Sequence, residues 1–365
     1  MNVYTVTFLN KNYGSILQAF ALQSRLREFG VVPCILINGT KKHSKLYKLL
    51  YNLLKLFLPK ENYNFAQKFW LLLDKRKYSK KNAKIDTFVS KNISTRIIKD
   101  INQFVEEEVK ENDIFIAGSD QIWNKSNPMS PWFSLKWVKG RCKKFSYAAS
   151  IGRYTLTKEQ ISSFADSLSE FNFISVRERQ SLESLSNVFY DRIRQDLDPT
   201  LLYNGAFWKE MASPRLINGP YLFVYRLRPN DDVFFMARKI AKKRGLKIVY
   251  TGLIDSHCED ICTIYNAGVE DFLSLVLYAD AVITNSFHGT VFSIQFEKPF
   301  LSIGLASTGA RAESFLGMLE LKSQLVTDVN KDYTFDIDYL KVNNILERER
   351  KRSLEYIDNI CNKRI

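Results

Sequence analysis

The stretch Ala281-Val282-Ile283-Thr284-Asn285-Ser286-Phe287-His288-Gly289-Thr290 decides how this chain is built. Its first four residues, apolar or β-branched, read as a short buried strand. The Asn-Ser pair that follows opens a helix running to position 297. Residues 299–303 then read as another strand. A strand that turns tightly into a helix and on to the next strand belongs to a parallel sheet with both faces covered.

The same rhythm extends outward. Residues 221–225 and 246–250 read as strands around a helix at 231–244 that Gly245 closes. A loop at 253–268 and a helix at 270–278 lead back to the quoted stretch. In the first half, strands at 3–9 and 31–37 flank a helix opened by Ser15, with Ile16, Leu17, Phe20, Leu22 and Leu26 as its stripe and Gly30 as its stop. Further strands are expected at 113–117, 145–150 and 173–176, with a helix at 158–170. Asp198-Pro199-Thr200 marks a turn and a domain edge. The fold class expected is α/β, two Rossmann-like domains facing a cleft. Residues 1–200 form the first domain and 201–338 the second, with an inserted basic helical segment at 41–84 and a C-terminal helix over 339–365.

Composition narrows the function. The 365 residues are 45% hydrophobic and 13% aromatic, enough for two cores and too apolar for a disordered chain. With 15 Gly, 9 Pro and 5 Cys, collagenous, mucin-like and disulfide-scaffold classes are excluded. No basic leader is seen at the N-terminus, and no run of roughly eighteen uncharged apolar residues occurs, so a cytoplasmic location is expected. The net charge of +14 is concentrated. Between Lys41 and Lys84, thirteen bases face two acids, Glu61 and Asp74, which leaves +3 for the rest.

That basic segment is patterned. Leu46, Leu49, Leu50, Leu53, Leu54 and Phe57 recur at helical spacing, with Lys48, Asn52 and Lys55 on another face and Pro59 as a stop. Phe65, Phe69, Leu72 and Leu73 begin a second helix ending in Lys75-Arg76-Lys77. Two readings stand: a helical hairpin packed on the domain with solvated lysines, or an element lying in a membrane interface with lysines against anionic lipid. Nucleic acid is not expected, because no binding motif or exposed aromatic interleaving accompanies the lysines.

In such folds, functional residues sit in loops beyond the carboxyl ends of strands. Neither GxGxxG nor GxxxxGK[ST] nor GxSxG is present. His257, Cys258 and Cys262 lack a second ligand pair, so no metal is expected. In the 284–290 loop, free helix N–H groups make an anion site, and His288 is the best placed of three histidines for acid–base work. A purely local hydrogen bond beside the cap is its alternative. Arg177, at the end of a strand, can grip a phosphate or carboxylate, or else pair with Glu178 or Asp198. Arg311 precedes a helix, as an anion ligand or a solvated surface residue. Asp120, Gln121 and Asn124 supply polar partners and Trp123 a flat ring, which suits a sugar; alternatively Asp120 caps a helix and Trp123 is core.

The run Asn12-Tyr13-Gly14-Ser15-Ile16-Leu17-Gln18-Ala19-Phe20-Ala21-Leu22 resembles the opening of the polysaccharide pyruvyltransferase family. Ala117-Gly118-Ser119-Asp120-Gln121-Ile122-Trp123-Asn124, Ser175-Val176-Arg177-Glu178, Asp198-Pro199-Thr200-Leu201-Leu202 and Asn285-Ser286-Phe287-His288-Gly289 resemble its later signatures, in order. The basic segment and residues 201–270 match no family pattern. The resemblance implies a GT-B-like pair of domains that moves a pyruvyl group from phosphoenolpyruvate to a hexose as a 4,6-ketal. Phosphoenolpyruvate is then a donor substrate, with no cofactor implied. His288 resembles the catalytic histidine, Arg177 an anion-binding arginine, and Arg311 a basic residue after the histidine, with Ser286 and Thr290 beside the donor. Asn12, Tyr13, Ser15, Asp120, Gln121, Trp123 and Asn124 fall on the acceptor side, with Asp120 our own candidate for the hydroxyl base. A second histidine expected in the N-terminal half is absent, save for His43. The acceptor implied is a lipid-linked oligosaccharide or glycan at the inner face of the cytoplasmic membrane, where 41–84 would dock. A nucleotide-sugar glycosyltransferase and a non-catalytic, membrane-docked glycan-binding module remain alternatives.

Overall fold

The structure is a computed structural model that describes residues 1–39, 65–124, 131–152, 155–252, 259–304 and 310–362, with the backbone alone over 65–78. His43, His257, Cys258 and the whole of the basic segment's expected first helix lie outside the described residues.

The first domain is a parallel sheet of β1 (Val3–Val6), β2 (Pro33–Asn38), β3 (Thr95–Ile98), β4 (Ile114–Ala117) and β5 (Lys143–Ser146), in the order β3-β2-β1-β4-β5. The pair β6 (Ile174–Val176) and β7 (Ile193–Gln195) continues its edge through bridges from Phe145 to Phe173 and from Ala149 to Val176. The second domain repeats the plan. Strands β8 (Tyr221–Tyr225), β9 (Lys247–Tyr250), β10 (Ile261–Thr263), β11 (Ala281–Thr284), β12 (Phe300–Ile303) and β13 (Leu325–Val326) run parallel in the order β10-β9-β8-β11-β12-β13. Every residue of β1, β4, β8 and β11 is buried, as continuous apolar runs covered on both faces should be. Chain order reverses where β1 meets β4 and where β8 meets β11. A crevice opens beyond the strand ends at such points.

Strands β3, β7 and β13 have no counterpart in the sequence expectation, and three further elements depart from it. Helix α1 (Tyr13–Glu28) is capped by Asn12, whose Oδ1 accepts from the Gly14 N–H at 2.9 Å, and not by Ser15. Ser15 Oγ instead accepts from Asn10 N at 3.3 Å and donates to Phe8 O at 3.0 Å, pinning the preceding loop. Helix α2 (Phe65–Asn92) continues past Lys75-Arg76-Lys77, because Lys and Arg are good helix formers and nothing breaks the run. Residues 261–263, expected in a loop, form β10, an edge strand too short to show a periodicity.

The remaining helices are α3 (Ile101–Glu107), α4 (Lys158–Ser167), α5 (Arg179–Phe189), α6 (Gly205–Met211), α7 (Asp231–Arg244), α8 (Val269–Leu277), α9 (Phe287–Gln295), α10 (Ala310–Met318) and α11 (Tyr339–Cys361). One apolar cluster joins the two domains. Tyr13, Ile16, Leu17 and Phe20 of α1 share it with Trp208, Phe272 and Phe292. That explains why α1 is buried on nearly every side: it is packed between its own sheet and the other domain. Helix α11 straps both halves. Val342 and Leu346 join the shared cluster, while Tyr356, Ile357 and Ile360 pack on Val3, Leu22 and Ile114 of the first domain. Among the described residues no helix is long and apolar enough to cross a membrane.

Candidate functional site

His288 owes its place to the turn between β11 and α9. Thr284 Oγ1 donates to Tyr225 O at 2.7 Å and accepts from Ser286 N at 3.0 Å, while Ser286 Oγ caps α9 through Gly289 N. Gly289 is required here, since a Cβ would lie 2.2 Å from Thr284 Oγ1. His288 then projects from the first turn of α9 into the other domain. Its ring rests directly on Gly14, where any Cβ would stand 2.1 Å from the imidazole Nδ1. Gly14 is therefore the gap in α1 that admits the histidine.

Facing the imidazole is Asp198, in the 3-10 turn after β7. Its Oδ1 accepts from Thr200 N at 3.0 Å and Thr200 Oγ1 at 2.7 Å. Its Oδ2 accepts from Arg177 Nη1, from Ser119 Oγ at 3.3 Å, and lies 3.5 Å from His288 Nε2. Burial pushes this carboxyl up, yet His288, Arg177 and the Thr200 hydroxyl together hold it well below the usual range. Asp198 is thus an anion with one oxygen committed to its own turn and one to the cleft.

Two guanidinium groups complete the centre. Arg177, immediately after β6, also approaches Glu178 Oε1 with its Nε at 3.5 Å and stands 4.6 Å above the Phe287 ring. Burial lowers its pKa, but Asp198, Glu178 and Asp120 outweigh that and raise it. Arg311, in the first turn of α10, stands 5.8 Å from the same ring. Burial and the neighbouring Arg177 push its pKa down to about 10, so it remains a cation that lacks sufficient counter-charge. Arg177 Nη2 and Arg311 Nε are buried without a hydrogen-bond partner, while His288 Nε2 faces Asp198 Oδ2 at 3.5 Å. Such groups mark a place built for an incoming acceptor. A cleft of about 530 Å³ runs from Arg177, Asp198, Phe287 and Arg311 out toward Arg348 and Arg352 on α11.

Of the other residues predicted from sequence, Asp120 joins this group. It is half-buried at φ 73°, a left-handed conformation that Asp tolerates, and its charge acts on both arginines. Its Oδ1 accepts from Gln121 N at 2.9 Å, and among the described residues 121–124 there is no helix for it to cap. Gln121 and Asn124 line the chain beside Gly152, where a Cβ would meet Gln121 Nε2 at 2.0 Å. Asn12, the α1 cap, lies apart from this cleft, lining a separate pocket with Tyr225, whose OH donates to it at 3.4 Å.

Four predicted contacts are taken up elsewhere. Trp123 is 1% exposed and packs edge-on against Phe171, with Nε1 donating to Phe133 O, so it is core and offers no sugar-stacking face. Tyr13 is stacked on Phe272 at 4.7 Å and donates to Ala267 O, as a contact between the domains. Ser15 pins its own loop, as above. Thr290 points inward, with its hydroxyl oxygen 3.3 Å from Ser286 O and 3.0 Å from Ser302 Oγ. Each was a polar or aromatic residue whose direction only its neighbours decide.

Sequence reasoning left out Asp198, which it treated as a turn and as an alternative partner for Arg177. It also left out Phe287 and Gly14 as working parts. The Asp-Pro-Thr turn directly after a short strand was the available signal. Among the described residues no three His, Cys, Asp or Glu side chains gather to hold a metal ion.

Two parallel α/β domains closing on a buried histidine, its carboxylate and two guanidinium groups define a GT-B-like protein with a charged cleft. The chain belongs to the polysaccharide pyruvyl transferase family, whose description matches residues 12–307. All five sequence signatures lie inside that span. Among solved structures, S. aureus MnaA with UDP has the same fold, with a TM-score of 0.50 and 13% identity over 95% of this chain and 87% of that one. Arabidopsis thaliana UGT89C1 complexed with UDP-L-rhamnose has a TM-score of 0.49 and 11% identity over 99% of both chains. No curated protein matches the chain.

Proposed function

We propose that this cleft moves the pyruvyl group of phosphoenolpyruvate onto two hydroxyls of a hexose, often galactose as a 4,6-ketal, in a surface-polysaccharide precursor, and releases phosphate. One observation carries the reading: Arg177 and Arg311 bury unpartnered nitrogens around Phe287, beside His288, whose Nε2 faces Asp198. A donor bearing both a carboxylate and a phosphate supplies the acceptors that two guanidinium groups lack, and family membership points to the same donor class.

In this scheme His288 gives its proton to the methylene carbon, and the double-bond electrons take it up, leaving a cationic C2. Asp198 steadies the charged imidazole beforehand, as a carboxylate beside a working histidine does. A sugar hydroxyl adds to C2 and loses its proton, with Asp120 as the base. The bond from C2 to the phosphate oxygen then breaks, its electron pair leaving with phosphate. The second hydroxyl adds to C2 and closes the ring. Of the two hydroxyl protons, one ends on the new methyl group, by way of His288, and one on phosphate. The basic segment at 41–84 would hold this cleft beside lipid-linked acceptors at the cytoplasmic face of the membrane.

The test is incubation with phosphoenolpyruvate and candidate lipid-linked glycans, followed by mass spectrometry and a phosphate assay. A pyruvyl-ketal mass gain with matching phosphate release is expected. Release of UDP from a sugar nucleotide, with phosphoenolpyruvate untouched, would replace this reading with glycosyl transfer.

A further inference from the structure

Glu178, directly after Arg177, is a carboxylate that the scheme above leaves idle, and it is only 1% exposed. An anion taken that far out of water is costly unless it is paired and hydrogen-bonded. Both of its oxygens are engaged. Oε1 accepts from Ser150 Oγ and lies 3.5 Å from Arg177 Nε. Oε2 accepts from Ile151 N at 3.2 Å and from Ser181 Oγ at 3.3 Å. Glu178 also stands at the N-cap of α5, yet its side chain makes no cap bond there. The carboxylate is turned toward the arginine and the neighbouring strand end instead.

That strand end is firm. Ala149 N donates to Ser175 O at 3.0 Å, and Arg177 N donates back to Ala149 O at 3.1 Å. Ser150 N donates to Asp120 O at 3.0 Å, and Asp120 bridges to Ala149. Residues 149–151 therefore support Glu178 on one side and the Asp120 turn, at φ 73°, on the other. A left-handed conformation outside glycine persists only where surrounding bonds fix it. Arg177 and the Asp120 turn hang on one strut.

The Arg177 guanidinium has three nitrogens to place. Nη1 goes to Asp198 and Nε faces Glu178, while Nη2 is buried with no hydrogen-bond partner. Phe287, from the second domain, lies 4.6 Å from the group across its ring. A planar fork held at two nitrogens and against a ring has little freedom to turn. Charge is shared as well. Asp198 serves Arg177 and His288 at once. A second carboxylate at Nε means that Asp198 does not answer the arginine alone.

We propose that Glu178 is a positioning residue for this centre, locking the Nε edge of Arg177 so that Nη2 is the nitrogen left for an incoming anion. The identity of that anion, phosphoenolpyruvate, rests on the function proposed above; the locking of Arg177 does not.

Two readouts separate these claims. The first needs no ligand: the Nε proton of Arg177 in the full chain, followed by NMR on arginine-labelled protein and identified by its loss in Arg177→Lys. It should exchange slowly with water in the parent and be lost to exchange in Glu178→Gln. The second is calorimetric titration with phosphoenolpyruvate. Glu178→Gln should weaken binding by about tenfold in the parent, and by less than about twofold in the Arg177→Lys background, which has no Nε edge to lock. An Arg177 proton as protected in Glu178→Gln as in the parent overturns the proposal. So does an equal loss of affinity in both backgrounds, the result that a purely structural carboxylate gives. Should Glu178→Gln not fold, Glu178→Asp replaces it with the same expectations, since it keeps the charge and draws it back from Nε by one methylene. A parent that ignores phosphoenolpyruvate faults the donor alone, and the Arg177 proton then decides the lock.

Discussion

At the scale of single residues, the site leaves Arg177 Nη2 and Arg311 Nε buried and unpaired. His288→Ala and Arg177→Ala should each lower turnover by roughly a hundredfold or more, measured as phosphate release with the ketal-forming acceptor. Retained turnover in either would remove its role. Gly14→Ala is a sharper test, because the new methyl would occupy the imidazole's place 2.1 Å from Nδ1. Near-complete loss of activity is expected with α1 still folded by circular dichroism. Full activity would mean that His288 does not work from where it lies.

At the scale of elements, the strand-end turns hold the charges in register, and the turn carrying Asp198 sets a pH signature. Its carboxyl is held below the ordinary value of 3.8 in the folded chain. Such a group contributes stability that is present above 3.8 and is lost as pH falls below it, because the unfolded chain takes up the proton first. Denaturant titrations between about pH 5 and 3 should therefore show a steep loss in the parent and a shallower slope in Asp198→Asn. Equal slopes would mean that Asp198 is not the buried anion described. The central strands, and the helix behind His288, could be read in advance because β11 and α9 are local patterns, whereas the short edge strands β3, β7, β10 and β13 could not. The chemistry of the Asp198 turn was not, since its meaning depends on Arg177 and His288, 21 and 90 residues away.

For the whole molecule, the shared core and the strap α11 make the two domains one packed body. Ile357→Ala removes apolar volume where α11 meets Val3, Leu22 and Ile114. It should cost about 2–5 kcal/mol in denaturant unfolding, far more than a surface change. The basic segment carries a different expectation. Replacing Lys41, Lys42, Lys45 and Lys48 by Gln should release the protein from anionic vesicles. Unchanged sedimentation with vesicles would leave that segment a packing element only.

The sequence by itself determined the parallel α/β rhythm, the strand-to-helix turn under His288 and the concentration of charge at 41–84, because each is a local pattern of polarity or spacing. Only the tertiary structure decided which polar residues face the cleft. Trp123, Tyr13, Ser15 and Thr290 turned inward, and Asp198 came to stand between Arg177 and His288. The reason is that a side chain's chemistry is written in its own residue type, whereas its exposure and its charge partners are set by segments that meet only when the two sheets close on each other.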